Sequence, residues 1–138
     1  MAMTRKQFQQ LAGMRAQEAR ALVKSGHENG AYYLGGFAIE CAIKACIAKM
    51  TRRHDFPRGK ADVDKVYSHN LPVLLKFAGL DAALDKDMKS NRQLAQNWGV
   101  IKSWDVGSRY ESATLKGTDM VAAVSSKDGV LKWIKQHW

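Results

Sequence analysis

The chain is poor in the residues that interrupt helices or staple folds. It has only two prolines, Pro57 and Pro72, in 138 residues, so long uninterrupted helices are permitted. Two cysteines, Cys41 and Cys46, lie five residues apart in a predicted helix. That spacing separates their backbones by about 7.5 Å along the axis, too far for an unstrained disulfide, and it matches no zinc motif. The four histidines, His27, His54, His69 and His137, are scattered, so no metal or other cofactor is expected. No apolar run reaches the roughly 20 residues that span a bilayer. The longest, residues 31–48, is interrupted by Glu40 and Lys44. The polar start of the chain lacks the apolar core of a signal peptide, and a cytoplasmic protein with no membrane association is expected. A Gly-rich phosphate loop ending in Gly-Lys-Ser/Thr is absent, as are a nucleophile elbow and a Cys/His protease pattern. Gly107-Ser108 is not followed by the paired aspartates with which a nucleotidyltransferase holds magnesium. Spacing alone therefore shows no enzyme activity.

What the chain does have is positive charge and helical periodicity. Lys and Arg number 22 against 13 Asp and Glu, a formal net charge of +9, which favours polyanions or an acidic partner and says nothing about fold. Length and a hydrophobic share of 46% fit one globular domain over residues 1–138. A first helix is expected from Thr4 to Lys24, with Phe8, Leu11, Ala12, Ala19, Leu22 and Val23 on one face, Thr4 as N-cap and Ser25-Gly26 as its stop. A second, from Glu28 to Thr51, is apolar around most of its circumference and should be the most buried. Its Gly35-Gly36 pair costs helix stability, for which close approach of a neighbouring backbone is the structural reason. Residues 51–67 form a basic loop, with Arg52, Arg53, Arg58 and Lys60 as candidate nucleic-acid contacts and His54 or Phe56 available to stack on a base; a solvated charged face accounts for the same residues. A short third helix is expected from Asn70 to Ala78, a fourth from Ala82 to Ser103 with Leu84, Met88, Leu94, Ala95, Trp98 and Ile101 inward, a loop from Asp105 to Gly117, and a last helix from Thr118 to Gln136. No stretch alternates like a strand. The expected fold is all-α, an antiparallel up-and-down four-helix bundle with an additional short helix.

Glu40 is the most informative position. A carboxylate on the greasiest helix needs a cation or several donors. Lys44 is four residues on, in the favourable order, with Phe37 and Tyr33 continuing the same face. Arg109 is the other candidate partner, if its loop folds back over the bundle. A structural Glu–Lys pair fits as well as a functional site. His69, just before the third helix, reads equally as a capping or packing residue. Trp104, Arg109 and Tyr110 form a second constellation, suited to phosphate or base contact and equally to anchoring a loop.

The segment Ala31-Tyr32-Tyr33-Leu34-Gly35-Gly36-Phe37-Ala38-Ile39-Glu40-Cys41-Ala42-Ile43-Lys44-Ala45 resembles the central-helix signature of HEPN domains, a family of small prokaryotic helical proteins. His69-Asn70-Leu71 with Leu74, then Trp104 with Arg109-Tyr110, then Trp133-Ile134-Lys135 follow in the family's order. The resemblance implies a four-helix bundle with an extra short helix, usually a homodimer, often partnered with a small nucleotidyltransferase in a toxin–antitoxin-like pair, and binding nucleotide or RNA. Carried over by position, the residues to watch are Glu40, Lys44, His69, Arg109 and Tyr110. Ribonucleases of that family carry an Arg and a His separated by a short polar stretch late in the bundle. No histidine follows Arg109 in that way, and Arg20 and His27, comparably spaced, precede the central segment.

Three readings stand on the sequence. In the first, the domain binds nucleotide or RNA phosphates and a protein partner. In the second, it is a metal-independent ribonuclease using His69 with Arg109. In the third, it is a purely structural dimerisation module, with Glu40 a satisfied core residue.

Overall fold

The computed structural model describes residues 3–51 and 66–138. The basic-loop candidates Arg52, Arg53, Arg58 and Lys60, with His54 and Phe56, lie outside the described residues. Among the described residues the protein is an all-α helical bundle without strands. Its helices are α1 (Arg5–Lys24), α2 (Glu28–Thr51), α3 (Leu71–Phe77), α4 (Asp81–Ser90), α5 (Arg92–Ile101), α6 (Gly117–Ser125) and α7 (Val130–Lys135), with a 3-10 turn at Val106–Tyr110 between α5 and α6.

Helix ends follow the chemistry of their residues. The Thr4 hydroxyl accepts from the Gln7 N–H while the Gln7 side chain accepts from the Thr4 N–H, a reciprocal capping box. Asn70 caps α3 by accepting from the Val73 N–H at 3.0 Å, and the Ser68 hydroxyl accepts from the Asn70 N–H. Gly26 and Gly79, at φ of 80° and 74°, supply the left-handed residues that end α1 and α3.

Helix α2 is the axis of the bundle. It packs along α1, with further contacts to α3, α6, α7 and the 3-10 turn. The α1 side of the main seam is built from Ala12, Ala16 and Ala19, all buried, and these small side chains let the two backbones approach closely. Phe8, Leu11, Leu22 and Val23 lie partly buried beside it. On α2, Ala38, Ile39, Ala42, Ile43, Ala45, Cys46 and Ile47 are buried on several sides. By length and composition α2 is apolar enough from Glu28 to Met50 to cross a membrane, which corrects the expectation that Glu40 and Lys44 exclude this; 67% of its apolar stretch is buried inside the bundle.

Two expected helices are each broken. The fourth divides at Asn91, whose backbone is extended (φ −136°, ψ 96°) and whose side chain caps α5 by accepting from the Leu94 N–H. Asparagine offers the backbone this local alternative to a continuous helix. The last divides at 126–129, where Ser126 and Gly129 are extended. The two breaks are tied together: the Asn91 amide donates to the Asp128 carboxylate at 3.2 Å, and the buried Asn97 amide donates to the Asp128 carbonyl at 2.8 Å. Packing of α5 on α6 thus carries a polar junction that hydrophobic periodicity does not reveal. The inward residues Leu84, Leu94, Trp98 and Ile101 of the expected fourth helix, and Met120, Val124, Leu131 and Ile134 of the expected last one, are buried as their spacing implies, while Met88, Ala95 and Trp138, the last of the final helix's stripe, are only partly covered.

Candidate functional site

The Glu40 carboxylate lies in the middle of α2 and is 2% exposed. It is not alone there. Lys44, one turn on, donates from Nζ to Oε2 at 3.1 Å, and His69 Nδ1 lies 2.9 Å from Oε1. Both carboxylate oxygens are therefore occupied, as a buried charge requires. His69 reaches Glu40 because Ser68 and Asn70 fix the chain just ahead of α3, and α3 in turn packs on α2 through Leu71 and Leu74. The His69 side chain is 51% exposed and that of Lys44 12%, so on the buried Glu40 root Lys44 is mostly covered and His69 reaches the surface.

With the proton on Nδ1, the His69 ring donates to the carboxylate and its Nε2 stays unengaged by Glu40. A carboxylate at one ring nitrogen fixes the tautomer and orientation of the other. Such an arrangement can bind an anionic group at Nε2 and Nζ, or pass a proton through Nε2.

Arg109 and Tyr110 do not join this cluster. Arg109 was the alternative partner for Glu40 on sequence grounds; in the structure its guanidinium is held by the Tyr33 hydroxyl and lies over the Tyr110 ring, 4.9 Å from the centroid. The Tyr33 hydrogen bond raises the Arg109 pKa above its already high value. The reason for the displacement is how the loop is fastened. The Asn29 amide donates to the carbonyls of Glu111 and Ala113, and Asn29 Oδ1 accepts from the Leu115 N–H at 2.7 Å. The Glu28 carboxylate accepts from the Thr118 N–H and hydroxyl at the start of α6. Both straps sit at the first turn of α2, so the loop folds back, as expected, but over that end of the helix.

The glycine pair is explained by side chains, not by the neighbouring backbone that the sequence reading invoked. Trp104, 3% exposed, lies flat against Gly36: a Cβ there would meet its indole at 2.2–2.3 Å. A Cβ on Gly35 would stand 2.8 Å from Met120 Cγ. Trp104 also packs against Tyr33, with ring centroids 6.0 Å apart, and Tyr33 stacks on Phe37 at 6.1 Å.

Tyr33, Phe37, Glu40 and Lys44 share one face of α2. The result is a single strip with two polar stations, Arg109–Tyr110 at the level of Tyr33 and Lys44–His69 at the level of Glu40. Seven residues of helix separate the levels, about 10 Å. Tyr110 is 79% exposed, so its ring face is open to a planar partner. Asn29 and Glu28, which place the upper station, were not distinguishable in the sequence from ordinary helix-start residues; the one signal was that a side chain with both donor and acceptor stood opposite a long loop.

Among the described residues no three His, Cys, Asp or Glu side chains gather as a metal site. Burial pushes the Cys41 thiol up to about 12 and the Cys46 thiol up to about 11, which keeps both protonated and unsuited to nucleophilic work. Compared with known proteins, the chain matches no family model, no curated protein and no solved structure.

Proposed function

We propose that the protein is a HEPN-like module whose α2 strip binds the phosphate groups of a nucleotide or RNA and which acts with a protein partner. The observation that supports this best is the two-sided engagement of buried Glu40 by Lys44 and His69. A carboxylate sunk in an apolar helix holds a mostly covered lysine and an exposed histidine together in fixed orientation. Lys44 and His69 would contact one phosphate, Arg109 another, and Tyr110 would stack on a base. The net charge of +9 would steer a polyanion towards the molecule. The reading includes a homodimer, a nucleotidyltransferase partner in a toxin–antitoxin-like pair, and a cytoplasmic location. Isothermal titration with nucleotides and short RNA at low salt tests it. Saturable binding that weakens in Arg109→Ala and Lys44→Ala is expected; no binding, or equal binding by the variants, would count against it.

The Glu40–His69 pair also favours a second reading, a metal-independent ribonuclease in which His69 Nε2 takes the proton of the ribose 2′-hydroxyl. It requires 2′,3′-cyclic phosphate products and RNA cleavage in EDTA that is lost in His69→Ala. Intact RNA after incubation with the wild type removes this reading.

A further inference from the structure

A polar cavity lies at the other end of α2, away from the strip. It has a volume of about 340 Å³ and is lined by Cys46, Lys49 and Met50 of α2, Ala78 and Leu80 from the α3–α4 corner, and Gln136 and His137 after α7. Its size falls in the range of small-ligand sites. Two features of its lining point to one kind of occupant.

The first is unanswered hydrogen-bonding capacity. His137 Nε2 is buried without a hydrogen-bond partner, and so is Nε of Arg5, which stands close by at the start of α1. The Arg5 guanidinium gives one hydrogen bond, to the backbone oxygen of Trp138, and this leaves its Nε unanswered. An arginine Nε–H can only donate, and leaving such a group buried and unpaired costs free energy. His137 is fixed in place by its N–H donating to the Ile134 carbonyl and by its ring packing 4.5 Å from that of Trp133.

The second is the sign of the local field. Lys49 and Arg5 both act on the Cys46 thiol in the cavity wall, and both favour its anionic form; burial outweighs them, so the thiol stays neutral. No carboxylate lines the cavity among the described residues. The Lys49 ammonium, a histidine nitrogen and the Gln136 amide stand on the polar side. Met50, Leu80, Ala78 and the neutral Cys46 thiol form the apolar side.

We propose that this cavity binds a small organic anion, a carboxylate or phosphate head on a short apolar body, with the head held by Lys49, Gln136 and His137 and the body against Met50 and Leu80. The site is independent of the α2 strip: Lys49 is five residues beyond Lys44, and none of the strip residues lines the cavity.

Hexanoate and hexyl phosphate are suitable probes, with inorganic phosphate and hexanol as controls, all at matched ionic strength. The full chain is titrated with each while the His137 ring protons are followed by NMR and the melting temperature is recorded. Saturable shifts of the His137 signals and a rise in melting temperature are expected with hexyl phosphate or hexanoate, and the stronger of the two identifies the head group. Inorganic phosphate should bind at least tenfold more weakly, and hexanol should leave the His137 signals in place. Lys49→Gln, a solvent-facing substitution that leaves the fold intact, should weaken binding at least tenfold. Lys44→Ala, in the strip, should leave it unchanged, which separates this site from the one above. Absence of saturable shifts with both probes, or equal affinity in Lys49→Gln, would overturn the proposal.

Discussion

Replacing Gly36 by alanine gives a quantitative test of how the loop is seated on α2. In isolation the change should help, since alanine is favoured over glycine in a helix interior by about 1 kcal/mol. Here the new Cβ would meet the Trp104 indole at 2.2 Å, where carbon atoms settle at about 3.5–4.0 Å. The neighbour is a rigid ring, 3% exposed and backed by Tyr33, so it must retreat by more than about 1 Å or leave its site. Overpacking costs about 1–3 kcal/mol, and full loss of a buried tryptophan about 3–5. Against the helical gain of about 1, a Trp104 driven from its site makes Gly36→Ala destabilising by about 2–4 kcal/mol in urea unfolding. Gly13 in α1 and Gly99 in α5 have nothing within 4 Å of an added Cβ, so the same substitution there should stabilise by about 0.5–1 kcal/mol. In a Trp104→Ala background, Gly36→Ala should become neutral or stabilising, a coupling of about 3 kcal/mol. A Gly36→Ala protein as stable as the wild type, or an equal loss in the Trp104→Ala background, would refute the packing argument and with it the placement of Arg109.

Three further outcomes follow from the same fold. Asn29→Ala removes three loop hydrogen bonds and should cost about 2 kcal/mol, with faster hydrogen exchange at the Leu115 amide; unchanged exchange would contradict the strap. The Thr118 N–H and hydroxyl hold the Glu28 carboxyl below its usual 4.5. Its contribution is then complete above about pH 4.5 and lost as pH falls through the lower folded value, so the stability advantage of wild type over Glu28→Gln should shrink on acidification below 4.5, and a constant difference would count against it. Cys41 and Cys46, raised to about 12 and about 11 from the usual 9.0, should react with a thiol reagent near neutral pH only as fast as the protein opens; because the folded values are the higher ones, their stabilising contribution falls as pH rises above about 9. Rapid labelling of the native protein would contradict this.

The fold was legible where one principle dominated. The boundaries of α1 and α2, the Thr4 cap and the Ser25-Gly26 stop follow from periodicity and local hydrogen bonding, with no competing term. The two broken helices were not legible, because both sides of each break keep the helical period. What divides them is the junction of Asn91, Asn97 and Asp128, a set of contacts between residues up to 37 apart in the chain. The Glu40–Lys44 pair was readable as a four-residue spacing on one face. His69 was named as a candidate, but its contact with Glu40 across 29 residues depends on how α3 packs on α2. Arg109 went to Tyr33 instead of Glu40 because Asn29, Glu28 and the Trp104–Gly36 fit set the height of the loop. Those are long-range fits of shape and hydrogen bonding, for which local pattern carries no signal.

The claim at the centre of the account is that buried Glu40 exists to hold Lys44 and His69 for an anionic partner. Glu40→Gln keeps the shape and one accepting oxygen while removing the charge, and the binding of a short RNA to it at low salt can be compared directly with that of the wild type by calorimetry. A loss of affinity of at least tenfold, in a protein whose circular dichroism is unchanged, is the expected result; equal affinity in the two proteins would contradict the claim.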